Sequence, residues 1–168
     1  MTISMFQASV PVLIHSLKNL IVILQKGESS AIARKIDPTV FIQSRLYPDM
    51  LPLDKQVQIA SDIARRGVAR LADLEAPKLE DTETTFPELI DRLQKTIVFL
   101  ETVTSAQVDG SEGKAISLPM GKHTIEFEGL PYLVSFILPN VYFHVTTAYN
   151  ILRHSGVELG KLDFLGKP

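Results

Sequence analysis

The sequence predicts an all-α fold built on four long helices, with one small β-hairpin between the third and the fourth. Three observations predict it. Four segments carry apolar residues at helical spacing, one short stretch switches to a period of two, and proline or glycine clusters separate them. At 168 residues, 45% hydrophobic and 21% charged, the chain suits a single domain spanning residues 1–168 with a sizeable core.

The first helix carries Val10, Leu13, Leu17, Leu20 and Leu24 as one stripe. Ile14 and Ile21 widen it, and Val12, Val22 and Ile23 place apolar surface elsewhere. A helix this apolar is covered on more than one side, by neighbouring helices or by a second subunit. Pro11 either sits in the first turn or kinks a helix that starts earlier, and Gly27 is the expected stop. The run lacks a basic leader and is interrupted by His15, Ser16, Lys18 and Asn19, so it reads neither as a signal peptide nor as a membrane span. A cytoplasmic location is the expectation.

An irregular connection follows, with turn signals at Asp37-Pro38 and Tyr47-Pro48-Asp49 flanking a short helical piece at Thr39 to Arg45. The second long helix begins at Pro52, with Leu53, Val57, Ala60, Ala64 and Leu71 on its inner face. Asp62 lies opposite Leu53 and faces away from the core, whereas Gln56 and Ser61 flank the inner stripe. After the polar linker EAPKLEDTETTF, Thr85-x-x-Glu88 forms a capping box for the third helix, whose core positions are Leu89, Leu93, Ile97 and Leu100.

From Lys114 to Phe127 the pattern alternates, and Pro119-Met120-Gly121-Lys122 reads as the turn of a β-hairpin. In the fourth helix Leu130-Pro131 is one start; Pro139 then marks either a kink or the start of a new helix. Gly156 ends it. The tail VELGKLDFLGKP is too apolar to hang free and should fold back on the body.

There is no cysteine, so disulfides, thiolate metal sites and Cys nucleophiles are excluded. A net charge of −2 provides no basic field for nucleic acid or an acidic membrane. No Gly-rich phosphate loop, HExxH or nucleophile elbow occurs. The chemistry rests on four histidines. His144 and His154 stand about 15 Å apart along a continuous helix, too far to share a metal. His154 reads as a helix C-terminal cation, His123 as a solvated turn residue and His15 as a surface or subunit-contact residue. His144 points into the stripe formed by Ile137, Val141, Ala148 and Ile151. It is either a core histidine satisfied by one hydrogen bond or a ligand or acid/base group in a pocket beside Ala148. The candidate pocket adds Asp49, Gln56, Arg45 and Tyr47; Asp49 is otherwise a turn or capping residue. A single histidine with Asp49 and Gln56 binds zinc weakly beside a three-histidine site.

The phrases RLYPDMLPLDKQVQIASDIA, EDTETTF, LPNVYFHVTTAYNILRHSGVELGK and DFLG resemble a bacterial family of unknown function, numbered nineteen ninety-three, in the DinB/YfiT-like superfamily. The similarity runs over nearly the whole chain. It implies a four-helix bundle with long crossover connections, often a homodimer. Many superfamily members hold a divalent metal through one histidine on the second helix and an HxxxH pair on the fourth; in this chain no cofactor is certain, and zinc or nickel is the divalent metal considered. Carried over by position, that pair falls on His144 and Ala148, and the second helix has no histidine. The expectation is a small-molecule-binding or stress-related bundle with a degenerate metal site. The alternatives are a thiol-dependent transferase or isomerase with an altered metal site at His144, Asp49 and Gln56, and a non-catalytic interaction module.

Overall fold

The computed structural model describes residues 2–166, apart from the Met120 side chain. Met1 and the tail's last two residues, Lys167 and Pro168, lie outside the described residues. The long helices are α1 (Met5–Ala33), α3 (Leu53–Leu71), α4 (Phe86–Glu101) and α7 (Leu138–His154). Short helices α2 (Pro38–Ile42), α5 (Ser105–Val108), α6 (Gly129–Pro131) and α8 (Lys161–Leu165) and the hairpin β1 (Ala115–Met120) and β2 (His123–Glu128) fill the connections. The fold is a mostly helical bundle with a two-stranded antiparallel hairpin, in register from Ala115 opposite Glu128 to Met120 opposite His123.

Around the bundle, α1 packs between α4 and α7, and so does α3. The chain therefore crosses the diagonal twice, from α1 to α3 and from α4 to α7. Connections between diagonal helices have to be long, which is where the α2 loop and the hairpin sit. By length and composition α1 is apolar enough to cross a membrane. Its contacts account for that composition: α4, α7 and α8 all pack on it, and Leu13, Leu17, Leu20, Ile23 and Leu24 are fully buried.

Gly27 does not stop α1, which runs six residues further. A Cβ at this position would meet Leu152 at 3.0 Å and Phe86 at 3.1 Å, so the glycine serves close packing inside the bundle. Pro11 lies within the helix, near its start, and Ser4 caps it with Gln7. The Thr85–Glu88 capping box on α4 forms as read.

The question at Pro139 has a specific answer. Residues Tyr132–Ile137 form a π-helical segment that joins α6 to α7. Its wider turn restarts the α register so that Pro139 falls at the beginning of α7, where its missing N–H costs least. At the other end Gly156, at φ +85°, is the left-handed residue of a Schellman motif. Val157 N–H donates to the Leu152 carbonyl at 3.0 Å and Gly156 N–H to Arg153 at 3.1 Å.

The tail folds back as expected. Val157 and Leu159 are buried, and α8 lies on α1, held by Lys26–Asp163 at 2.7 Å and by Asn19 and His15 donating to the carbonyls of Phe164 and Leu165. Those bonds hold Asp163 below the ordinary carboxylate range, chiefly through Lys26 and then the Gly160 amide. Leu162, by contrast, remains exposed.

Asp62 does not face open solvent. It takes Arg65, Arg66 and Arg92 on its two carboxylate oxygens, and Arg92 of α4 also reaches Glu83 at 2.9 Å, Asp81 at 2.9 Å and the Glu80 carbonyl at 3.0 Å. Arg92 thus fastens the polar linker between α3 and α4 to both helices. Arg65 and Arg92 are each only 1% exposed.

Two stability predictions follow from this packing. A Cβ on Gly129 would lie 1.9 Å from the Ser111 carbonyl oxygen, and backbone cannot step aside as a side chain does. Gly129→Ala should cost about 2–3 kcal/mol, lowering Tm by roughly 5–10 °C for a chain of this size, whereas Gly113→Ala, with open space around it, should leave Tm unchanged. Arg92→Met leaves three carboxylates without their shared cation and should cost about 3 kcal/mol in urea denaturation. Asp81→Asn, whose carboxylate is half exposed, should cost less than about 1 kcal/mol.

Candidate functional site

The candidate site lies where α3 meets α7. Gln56 is in the first turns of α3, inside the seam, 2% exposed. His144 is in the second turn of α7, half-buried, on the helix stripe that carries Val141 and Ala148, both fully buried. Their side chains meet: His144 Nδ1 and Gln56 Oε1 are 2.7 Å apart.

The direction of that bond follows from the next one. Gln56 donates its Nε2–H to the Leu51 carbonyl at 2.9 Å, which turns its Oε1 toward the imidazole. An amide oxygen only accepts, so Nδ1 of His144 carries the proton. In the neutral ring Nε2 is then a bare acceptor, and it has no protein partner among the described residues. Burial pushes the His144 imidazole below the usual histidine range, favouring the neutral form. The Gln56 bond does not oppose protonation, because a charged ring still donates from Nδ1. Phe143 stands beside the imidazole, ring centroids 5.2 Å apart and edge-on at 89°.

The other residues expected at the site are placed elsewhere. Arg45, Tyr47 and Asp49 are exposed on the loop before α3, and none hydrogen-bonds to His144 or Gln56. Arg45 instead donates to the Met50 carbonyl at 3.3 Å. Ala148, on the same stripe as His144, is fully buried. Ser61, flanking the same inner stripe, faces α4 and shares a 2.8 Å hydrogen bond with Thr96. His123 and His154 are exposed. Arg65 and Arg92 escaped the sequence reading. The available signal was Asp62 with Arg65 at i+3 on α3, and an arginine, Arg92, near the inner stripe of α4.

A divalent ion does not fit these residues. Among the described residues no three of His, Asp or Glu converge. His144 spends Nδ1 on Gln56, Gln56 spends both ends of its amide, and the position one turn after His144 is a buried methyl group.

Among the described residues, surface hollows also lie away from the pair. One of about 610 Å³ is lined by Pro77, Leu79, Val98 and Phe99 among others, between the polar linker and α4. A second, about 320 Å³, lies over Arg92 and is walled by Lys78, Glu83, Asp91 and Lys95. None of these hollows has His144 in its wall.

Comparison with known proteins bears on the fold. Residues 5–165 match the family model described as "Domain of unknown function (DUF1993)". The chain is similar to a solved DinB family member protein from Shewanella denitrificans, 40% identical over 97% of this chain and 92% of that one, with a TM-score of 0.88. No curated protein matches.

The buried ring gives stability a pH dependence of defined sign. A histidine whose folded pKa lies below its unfolded value of about 6.5 binds fewer protons in the native state through the window between the two. Its neutral form therefore contributes full stability above that window, and the contribution is lost as pH falls through it. The urea midpoint should drop between pH 8 and pH 5 by more in the wild type than in His144→Gln, which has nothing to titrate there.

Proposed function

The chain belongs to the DUF1993 family and shares the DinB-type bundle, and from that premise we propose that it is a metal-independent small-molecule-binding protein whose ligand is received at Nε2 of His144. The observation that carries this is the Leu51–Gln56–His144 chain of hydrogen bonds, 2.9 and 2.7 Å long. A histidine serving only the core would need one partner and no particular tautomer. Here the tautomer is fixed from the backbone outward, and the nitrogen left bare has no protein partner among the described residues.

The chemistry such a site supplies is limited and definite. Nε2 accepts a hydrogen bond, or takes a proton from a group acidic enough to give it up. Gln56 holds the ring plane, so the lone pair keeps its direction while a ligand arrives. With a neutral amide at Nδ1 instead of a carboxylate, a full positive charge on the ring is not strongly stabilised, which favours binding over repeated acid/base turnover.

A second reading, an interaction module, draws support from the apolar hollow beside Val98 and Phe99, where Val98 is exposed on the outer side of α4. It predicts a partner whose binding responds to Val98→Glu and not to His144→Ala.

Zinc and nickel titrations by calorimetry test the primary reading. The expected result is no stoichiometric binding tighter than about 10 µM, a loose limit for a one-imidazole site. Tight binding at one ion per chain that disappears in His144→Ala would reverse the conclusion.

A further inference from the structure

Building on that reading of His144, we infer that the site selects a neutral hydrogen-bond donor on a flat apolar body, such as a phenol or an N–H azole, over a carboxylate or phosphate. The argument starts at a backbone carbonyl. Leu51 accepts from Gln56, so Gln56 presents oxygen to the imidazole, so the proton sits on Nδ1 and the lone pair on Nε2. A lone pair attracts an O–H or N–H. It repels the oxygen of an anion unless the ring first gains a proton.

Nothing around the ring favours that proton. The place where a carboxylate would stabilise an imidazolium is taken by the uncharged amide of Gln56. Among the described residues no Asp or Glu hydrogen-bonds to His144, and no Arg or Lys bonds to either member of the pair to welcome an anion. Arg45, the cation of the preceding loop, is directed to the Met50 carbonyl.

The surroundings define the ligand's body. Phe143 is 56% exposed with its ring set edge-on to the imidazole, and Leu51, whose carbonyl begins the chain, is 46% exposed. Both are joined to the pair directly, one by ring contact and one by hydrogen bond. A planar apolar ligand presenting one donor covers Phe143 and Leu51 while its O–H or N–H meets Nε2.

The test uses the full-length protein, labelled with ¹⁵N, at pH 8. Phenol and indazole form one panel, benzoate and phenylphosphonate the other, and the His144 ring nitrogens are followed by long-range ¹H–¹⁵N correlation. The ¹⁵N shifts also report whether Nδ1 carries the proton. Phenol and indazole should move the Nε2 resonance and bind about tenfold more tightly than benzoate, the worth of one well-placed hydrogen bond. The shift should vanish in His144→Phe. Gln56→Glu places a carboxylate beside Nδ1, stabilises the charged ring, and should narrow or reverse the preference. If that variant does not fold, Gln56→Met removes the tautomer lock and should narrow the preference alone. Benzoate binding at His144 as tightly as phenol overturns the ligand class and leaves His144 as the binding residue. Silence from both panels overturns the class as well. Binding that persists unchanged in His144→Phe overturns the reading of His144 itself.

Discussion

The close approach of α3 to α7 is the constraint on which the rest of this structure depends. At Gly67 of α3 a Cβ would lie 2.7 Å from Cδ1 of Ile137, the residue immediately before α7. Ile137 is the last residue of the π-helical segment, so the wider turn ends where the contact is tightest. That turn lets one helical run accommodate Pro139 and still arrive on α3 with Val141, Ala148 and Ile151 facing inward. It also fixes where His144 emerges, at the border between stripe and solvent. A regular α-helix through the same residues would carry Pro139 in its interior and rotate everything beyond it. The site's direction is therefore a consequence of backbone geometry set one to two turns earlier.

The helix α3 separates two kinds of polar burial. On its α7 side, Gln56 is satisfied by neutral partners and takes part in no ion pair. Toward α4 and the linker, Asp62 and Arg65 join Arg92 and Glu83 in a charged cluster that ties three segments together. Removing one ion from that cluster leaves the others uncompensated, so it acts as a fastener that tolerates little change. Even there the accounting is incomplete: the Nε–H groups of Arg65 and Arg92 are buried without a partner. The neutral pair, by contrast, leaves a reachable acceptor and no buried charge. That difference is the physical reason the ligand site is proposed at the neutral pair and not at the charged cluster.

Most of the fold was legible because it is written in short-range rules. Helical spacing identified the stripes of α1, α3 and α4; the Thr85–Glu88 box and the glycine at 156 marked ends that the backbone then satisfied. Glycine at 27 misled for a physical reason. A helix stop and a close helix contact both call for a missing side chain, and only the neighbours, Leu152 and Phe86, tell them apart. Asp62 misled similarly: a residue opposite the α7-facing stripe is solvated on an isolated helix, but here α4 and the linker cover that side. At the candidate site, periodicity gave the direction of His144 and the inner flank of Gln56. The loop residues Arg45, Tyr47 and Asp49 have no period to orient them, and their side chains lie outward. The π-helical segment has no sequence signature beyond the proline that follows it.

Fold and chemistry are separable here in a way the residues make concrete. A helix bundle positions side chains from facing helices toward one another whatever their identity, and α3 and α7 still do so with Gln56 and His144. What changes is the kind of group that meets. Building a metal set at this place takes more than one substitution. A second histidine at 148 would enter the packed core, where Ala148 has no exposed surface. Each imidazole offers a metal one lone pair, and its remaining N–H needs its own acceptor. Gln56 already fills that supporting role for His144, but at the expense of contributing no ligand itself. The same amide that orients the ring thus offers no donor of its own to a metal, so one hydrogen bond sets both the direction of Nε2 and what Gln56 can contribute beside it.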